Sequence, residues 1–145
     1  MFKNILVVCI GNICRSPTAE YMLKHKLANK PELTIHSAGL GALVDKPIDA
    51  TAGAILLEND IDPSSHKARQ LRSELLLGAD LILAMEPSHL KGISDIAPQV
   101  SGKAFLLGKW SNNEKVSDPY RKSREAFDHV YKQINKFTDD WLKYL

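Results

Sequence analysis

The strongest constraint on the fold is a run of apolar residues near the amino end that does not alternate with polar ones. Lys3 to Cys9 contains Ile5-Leu6-Val7-Val8, a pattern typical of a parallel strand buried on both faces. Asp80 to Met85 and Ala104 to Leu107 have the same character, and Leu33 to Ser37 predicts a further short strand. A sheet with two buried faces needs helices on both sides, so the chain is constrained to an α/β fold.

Helical patterns fill the intervals between these strands. Ser16 is predicted to cap a helix in which Pro17 takes the first position, and this helix continues to about Asn29. Three more helices are predicted, over about Asp49 to Glu58, from near Pro87-Ser88, and over about Ser123 to Tyr144. Strands that alternate with helices indicate parallel strands joined by right-handed crossovers. We expect a single domain over residues 1–145.

Composition narrows the class of protein. The 145 residues include 19 Lys and Arg against 17 Asp and Glu, and the scattered basic residues disfavour nucleic-acid binding. The longest apolar run, Ile5 to Ile10, is far shorter than the roughly 20 residues that cross a bilayer, and no signal-peptide pattern accompanies it. Two cysteines, Cys9 and Cys14, provide neither a disulfide framework nor a four-ligand zinc site. We expect a cytoplasmic monomer with no membrane insertion.

The turn after the first strand carries the residues of a phosphate site. Ligands of such folds bind beyond the carboxyl ends of the strands, where this chain continues from Cys9 into Ser16. Backbone N–H groups of a tight loop and of the following helix start form an anion site. Gly11 and Asn12 tolerate the left-handed backbone that this loop needs. Arg15 supplies a two-pronged donor for phosphoryl oxygens, and in this positive field the Cys9 thiol should lose its proton readily.

Simpler interpretations exist for each of these residues. Cys9 alone suits a buried strand end, and Arg15 alone suits a solvated helix start; the surrounding strand, Gly-Asn turn and Ser-Pro helix start favour the phosphate loop. The glycine-rich patterns of nucleotide and dinucleotide sites are absent from this turn.

A thiolate that attacks a phosphate monoester also needs a general acid. Asp118, before Pro119 and Tyr120, is the candidate, although Asp-Pro alone is a common turn.

Several segments, spread over nearly the whole chain, resemble the low-molecular-weight protein-tyrosine phosphatases. They are Val8 to Glu20, Ser37 to Gly39, His66 to Gln70, Ala79 to Met85 and Asp118 to Arg121. Ser37 to Leu43 and Asp118 to Glu125 look most like the bacterial branch that partners autophosphorylating tyrosine kinases of capsule and exopolysaccharide export. The resemblance implies a hydrolase without cofactor or metal, whose phosphotyrosine protein substrate is such a kinase. It also implies a four-stranded parallel sheet in the order 2-1-3-4, flanked by helices on both faces.

The same resemblance implies a role for each residue of the site. Cys9 is the nucleophile, Arg15 binds the phosphoryl group, and Asp118 is the acid and later the base. The phosphate-binding loop comprises Ile10, Gly11, Asn12, Ile13, Cys14, Arg15 and Ser16; Ser37 and His66 support it, and Leu40 or Leu43 together with Tyr120 form the substrate walls. Two departures are the lack of an aromatic residue between Leu40 and Val44 and the presence of Arg121 where some members have a second tyrosine.

Two other classes of protein are alternatives to a phosphatase. An arsenate reductase of this fold needs further relay cysteines, and residues 70 to 100 contain none. A phosphotyrosine-binding module without activity would lack the nucleophile or the acid, and both are present.

Cys14 suits either a small buried residue under the loop or a resolving thiol that forms a reversible disulfide with Cys9. The sequence leaves both interpretations of Cys14 open.

Overall fold

The computed structural model describes residues 2–145, which alternate between strands and helices. The strands are β1 (Asn4–Cys9), β2 (Thr34–Gly39), β3 (Leu81–Ala84) and β4 (Ala104–Leu106). The helices are α1 (Arg15–Lys26), α2 (Ala50–Glu58), α3 (Ser73–Gly78), α4 (Pro87–Ile96) and α5 (Arg124–Leu142), with a 3-10 segment over Pro98–Lys103. All neighbouring strands pair in parallel, in the order β2-β1-β3-β4. The predicted α/β fold and strand order are confirmed.

β1 lies inside the sheet, and its alternate side chains enter two separate cores. Ile5 and Val7 pack with residues of α1 and α5 on one face of the sheet. Leu6 and Val8 pack with residues of α3 and α4 on the other face. Because both faces are covered, the unbroken apolar run of β1 is fully buried and the strand is fixed in register.

The pairing of β1 brings several loops to one edge of the sheet. Cys9 lies level with Gly39, and the Leu40 amide donates to the Cys9 carbonyl at 2.9 Å. At the end of β3, the Met85 carbonyl accepts from the Val116 amide at 2.9 Å. The segment that carries Asp118 is thereby attached beside the loop that follows β1.

The elements differ from the sequence predictions at a few points. α1 begins at Arg15 and not with Ser16 as its cap, because the Ser16 hydroxyl bonds to other side chains; the cap position belongs to Cys14. This helix ends at Lys26, not near Asn29, and β2 extends to Gly39, two residues beyond Ser37.

The short helix α3 and the 3-10 segment were not predicted, since each has six residues and is too short to show a clear period. Two other helices begin with a side-chain cap. Asp49 accepts from two amides at the start of α2, and Ser123 accepts from the Ala126 amide at the start of α5. None of the helices within residues 2–145 has both the length and the apolar character needed to cross a bilayer.

Candidate active site

The loop between β1 and α1 is closely packed and holds one residue in the left-handed backbone region. Asn12 has φ 59°, whereas Gly11, which was also expected there, has a negative φ. The loop packs against the end of β2 at Gly39, where an added Cβ would lie 2.2 Å from the Ile10 carbonyl oxygen. Gly39 is therefore required by the close approach of the loop, not by its own φ.

Asn12 is the residue through which the rest of the fold holds the loop. It is fully buried, and its Nδ2 donates to Ser16 Oγ at 2.8 Å and to Ser37 Oγ at 2.9 Å. Its Oδ1 accepts from the Arg69 amide at 2.9 Å, and its carbonyl oxygen lies 2.7 Å from His66 Nε2. Ser37 and His66 thus occupy the supporting positions that the resemblance implied, and Arg69 adds a third support that the sequence did not reveal.

Cys9 lies at the carboxyl end of β1, with its sulfur 2.8 Å from Ser16 Oγ. A thiolate can only accept hydrogen bonds, so in that state the Ser16 hydroxyl donates to the sulfur. The Ser16 oxygen in turn accepts from Asn12, which leaves its proton free for Cys9. This arrangement stabilises a negative charge on the sulfur.

The hydrogen-bonded chain continues from the loop to a buried carboxylate. Ser37 Oγ donates to Glu20 Oε1 at 2.5 Å, and Lys24 Nζ lies 2.6 Å from Glu20 Oε2. Glu20 is buried in spite of its charge, and this pairing compensates for the cost of removing the charge from water. Glu20 ends the segment Val8 to Glu20 that carries the resemblance, but it was not among the predicted site residues.

Arg15 is almost wholly buried and is held by acceptors from two distant segments. Its Nη1 donates to Glu86 Oε2 at 2.5 Å and to the Val116 carbonyl at 2.8 Å, and its Nη2 lies 3.9 Å from Asp118 Oδ2. Partial burial acts to raise the pKa of Glu86, but the hydrogen bond and charge of Arg15 outweigh it and lower that pKa. Glu86 therefore stays ionised and fixes the guanidinium; it was also missed.

His89, one turn along α4 from Glu86, is a buried neutral histidine. Burial, and secondarily the charge of Arg15, lower the pKa of His89 to about 4. Its Nε2 lies 3.8 Å from Glu86 Oε2, and its Nδ1 has no hydrogen-bond partner among residues 2–145. The ring forms part of the wall behind the Arg15 and Glu86 pair.

A cavity of about 210 Å³ opens above the loop and gathers the remaining predicted residues. Its lining consists of Cys9, Ile10, Gly11, Asn12, Ile13, Cys14, Arg15, Gly41, Leu43, Asp118 and Tyr120. Asp118 is half-exposed at the mouth, where its Oδ1 accepts from the Tyr120 amide at 3.0 Å. Leu43 and Tyr120 thus stand as walls of the cavity. Leu40, the alternative wall residue, instead covers Gly92 of α4, so Leu43 replaces it.

Cys14 lies under the loop and lines both this cavity and an apolar recess formed by α2 and α5. Burial, followed by the charges of Asp49 and Cys9, raises the pKa of the Cys14 thiol. It is therefore protonated at neutral pH and is no rival nucleophile to Cys9. Both cysteines are free thiols in this structure.

Comparisons with known proteins find similar sequences and structures. The family model described as low molecular weight phosphotyrosine protein phosphatase matches residues 4–145. The phosphatase Wzb of Escherichia coli strain K12 is 47% identical over the whole chain and 97% of its own length. Among solved structures, Vibrio vulnificus Wzb in complex with benzylphosphonate has a TM-score of 0.94 at 44% identity, with 100% of each chain covered.

A more distant structure has the same fold and a different named activity. It is a mutant of the arginine phosphatase YwlE with a phosphorylated active-site serine, and it is 28% identical with a TM-score of 0.91. The match covers 98% of this chain and 95% of that one. The fold is thus compatible with more than one phosphorylated side chain as substrate.

Proposed function

Because this chain belongs to the low molecular weight phosphotyrosine protein phosphatase family, we propose that it hydrolyses phosphotyrosine in proteins through a phosphocysteine intermediate on Cys9. The observation that carries the proposal is the single cavity lined by Cys9, Arg15 and Asp118. It brings a nucleophile, a phosphate-binding cation and a proton donor to one substrate.

In the first step the Cys9 thiolate attacks phosphorus and the bond between phosphorus and the tyrosyl oxygen breaks. Asp118 gives its proton to that oxygen, so tyrosine leaves as a neutral phenol. The half-exposed carboxyl of Asp118 at the cavity mouth is suited to this transfer, because the leaving oxygen faces outward when the phosphoryl group lies on the loop.

In the second step a water molecule attacks the phosphocysteine, and the bond between sulfur and phosphorus breaks. Asp118, now ionised, takes the proton from the water, and inorganic phosphate and the Cys9 thiolate result. The phosphorylated active-site serine in the YwlE mutant supports a covalent intermediate in this fold.

The loop amides and Arg15 bind the phosphoryl group. The guanidinium is preorganised by Glu86 and the Val116 carbonyl, so Arg15 and the loop amides together meet the three equatorial oxygens without having to reorient. Positioning and charge stabilisation of this kind supply most of the catalysis of phosphoryl transfer.

The walls of the cavity favour an aromatic ester. Leu43 and Tyr120 both line the cavity beyond the loop, and these apolar and aromatic walls suit a planar ring that carries the phosphate down to Cys9. Benzylphosphonate, the ligand in the Vibrio vulnificus relative, likewise joins a phosphorus-containing anion to an aromatic ring.

We assign the physiological substrate to a bacterial autophosphorylating tyrosine kinase that controls capsule or exopolysaccharide production. This assignment rests on the segments Ser37 to Leu43 and Asp118 to Glu125 and on the likeness to Wzb. The reaction would take place in the cytoplasm, where the Cys9 thiol stays reduced.

The deciding experiment is a comparison of kcat/KM on peptides that differ only in the phosphorylated residue. Phosphotyrosine, phosphoserine and phosphoarginine peptides are compared with arsenate reduction by the same protein. We expect phosphotyrosine to be hydrolysed far faster than the others and the Cys9→Ser protein to release no phosphate. Faster hydrolysis of phosphoarginine, reduction of arsenate, or undiminished turnover by Cys9→Ser would each overturn the proposal.

A further inference from the structure

A second cavity lies behind the phosphate-binding loop, away from the mouth of the active site. It is open, has a volume of about 350 Å³, and lies between α1, β2 and the segment 65–69. Its lining consists of Glu20, Tyr21, Lys24, His36, Ser37, Ser65, His66, Lys67 and Arg69. The proposed hydrolysis makes no use of this cavity.

The charge around this cavity is predominantly positive. Lys24, Lys67 and Arg69 contribute three cations against one carboxylate, Glu20, which is already bound to Lys24 and Ser37. Among residues 2–145, Lys67 and Arg69 have no carboxylate within 4.0 Å. Two positive charges therefore lie beside an open space with no negative partner.

Arg69 is held as a preorganised donor, not as a free surface side chain. Its Nε donates to the Ser37 carbonyl at 3.0 Å, and its Nη2 donates to His36 Nδ1. His36 Nε2 is in turn 2.6 Å from Asn4 Oδ1. Burial, and secondarily the charge of Arg69, lower the pKa of His36, so the imidazole is neutral and adds no charge of its own.

The walls of the cavity are also the supports of the catalytic loop. The Arg69 amide and His66 Nε2 both bond to Asn12, and Ser37 accepts from the Asn12 side chain. Glu20 binds Ser37 on one oxygen and Lys24 on the other. The Arg69 guanidinium contacts Ser37 directly and Lys24 reaches it through Glu20, so a ligand that binds either cation acts on the residue that accepts from Asn12.

We propose that this rear cavity binds a small anion with a phosphate group and that its occupancy shifts the conformation of the loop at Asn12. A phosphate dianion matches the two unpaired charges of Lys67 and Arg69, and its oxygens suit the planar guanidinium. Coupling between the two sites is reciprocal, so a ligand on the loop also changes the affinity of the rear cavity.

The test is an NMR titration of the full chain with inorganic phosphate. Cys9 is first carboxymethylated with iodoacetate, and single labelling is checked by mass, so that the catalytic loop is filled and phosphate cannot bind there. Since hydrolysis is not measured, failure of this site is distinguishable from failure of the proposed function. We expect saturable shifts at the amides of Lys67 and Arg69 and at the Asn12 side-chain amide.

Two variants give the control. Lys67→Gln removes an exposed charge, and we expect the dissociation constant for phosphate to rise about fivefold, as for loss of a favourable exposed ion pair. Lys136→Gln removes an exposed charge on α5 that does not line the cavity, and we expect no change. Shifts that do not saturate, or equal effects of the two substitutions, would overturn the site, and saturable binding without a shift at Asn12 would overturn the coupling.

A second arm separates the two sources of a phosphate group. O-phosphoserine, a phosphate monoester, is titrated into the same carboxymethylated protein at equal ionic strength. Tighter binding of inorganic phosphate identifies the reaction product as the ligand, and tighter binding of phosphoserine identifies a monoester. Equal shifts with sodium chloride in place of either anion would overturn the proposal.

Discussion

Arg15 Nη1 lies 2.5 Å from Glu86 Oε2, so a carboxylate at the start of α4 holds the guanidinium that faces the catalytic cavity. The contact joins residues 71 positions apart in the chain. It fixes the direction of Arg15 before substrate arrives and keeps a buried positive charge neutralised.

The importance of this pair can be measured with Glu86→Gln, which keeps a hydrogen-bond acceptor and removes the charge. The bond from the charged Arg15 is kept but its attraction to a carboxylate is lost, and we expect this loss to lower kcat/KM on a phosphotyrosine peptide about tenfold, which corresponds to about 1.4 kcal/mol. Glu32→Gln, at an exposed site, is the matched control. Equal kcat/KM in the two variants would show that Glu86 does not position Arg15.

Replacement of the general acid, Asp118→Asn, tests proton transfer to the leaving group. We expect kcat to fall by about 10²–10⁴ for a phosphotyrosine peptide, the range for a positioned acid. The loss in kcat/KM, which reports only the first step, should be much smaller for p-nitrophenyl phosphate, whose leaving group departs readily without a proton. Asp45→Asn is the control, since Asp45 is exposed and has φ 69°, a conformation that asparagine tolerates. The same loss of kcat/KM on both substrates would contradict the role of Asp118 as the acid.

The buried His89 predicts a pH dependence of stability. Its pKa is about 4 in the folded chain and 6.5 ordinarily, so between these values the unfolded chain takes up a proton that the folded chain does not. The free energy of unfolding should therefore fall as pH decreases through this window, by at most about 1.4 kcal/mol per pH unit. Above the window this contribution vanishes, because both states are neutral.

Urea denaturation on either side of that window measures the effect. His89→Gln should remove this part of the pH dependence, whereas His129→Gln, at an exposed position of α5, should retain it. If the wild-type protein and His89→Gln show parallel curves against pH, the neutral state of His89 does not contribute.

The left-handed backbone of Asn12 can be separated from its hydrogen bonds with two substitutions. Asn12→Gly and Asn12→Ala both lose the bonds to Ser16, Ser37 and the Arg69 amide, but only alanine is strained at φ 59°. We expect Asn12→Ala to be less stable than Asn12→Gly by about 1 kcal/mol. Chemical denaturation measures the difference, and a more stable alanine variant would contradict the assigned strain.

The two interpretations of Cys14 differ in what happens after oxidation. If Cys14 is a resolving thiol, peroxide converts Cys9 to a sulfenic acid, which condenses with the Cys14 thiol to a disulfide and water. A thiol reductant should then restore more activity to the peroxide-treated wild-type protein than to treated Cys14→Ser. Equal recovery would leave Cys14 as a packing residue only. Both cysteines line the same cavity, whereas the raised pKa of the Cys14 thiol disfavours its attack on the sulfenic acid.

What the sequence predicts well is what lies within short segments. The run in β1 is apolar at each position from Ile5 to Val8, which is typical of a strand buried on both faces. The parallel sheet is predicted from this pattern. Cys9 and Arg15 are adjacent to that strand and to one helix start, and Asp118 follows from the need for a proton donor. The structure places these three residues around one cavity, and their catalytic roles stay predictions.

The rest depends on contacts that no local pattern encodes. Glu86 and Arg69 reach the loop from the start of α4 and from an irregular segment, and each has an ordinary environment in sequence. Leu40 and Leu43 are equivalent as residues of an apolar loop, and only the packing on Gly92 separates them. Ser16 looked like a helix cap, but its hydroxyl is bonded to Cys9 and Asn12.

The bonds of Asn12 have a consequence for folding kinetics. They reach partners 25, 54 and 57 residues away, so the seven-residue phosphate-binding loop acquires its shape only when β2 and the segment around residue 69 are docked. Contacts of such large sequence separation form late, since chain closure must precede them. Nascent or partly unfolded chains therefore lack an activated thiol, and recovery of enzymatic activity during refolding marks completion of the native topology, not the formation of secondary structure.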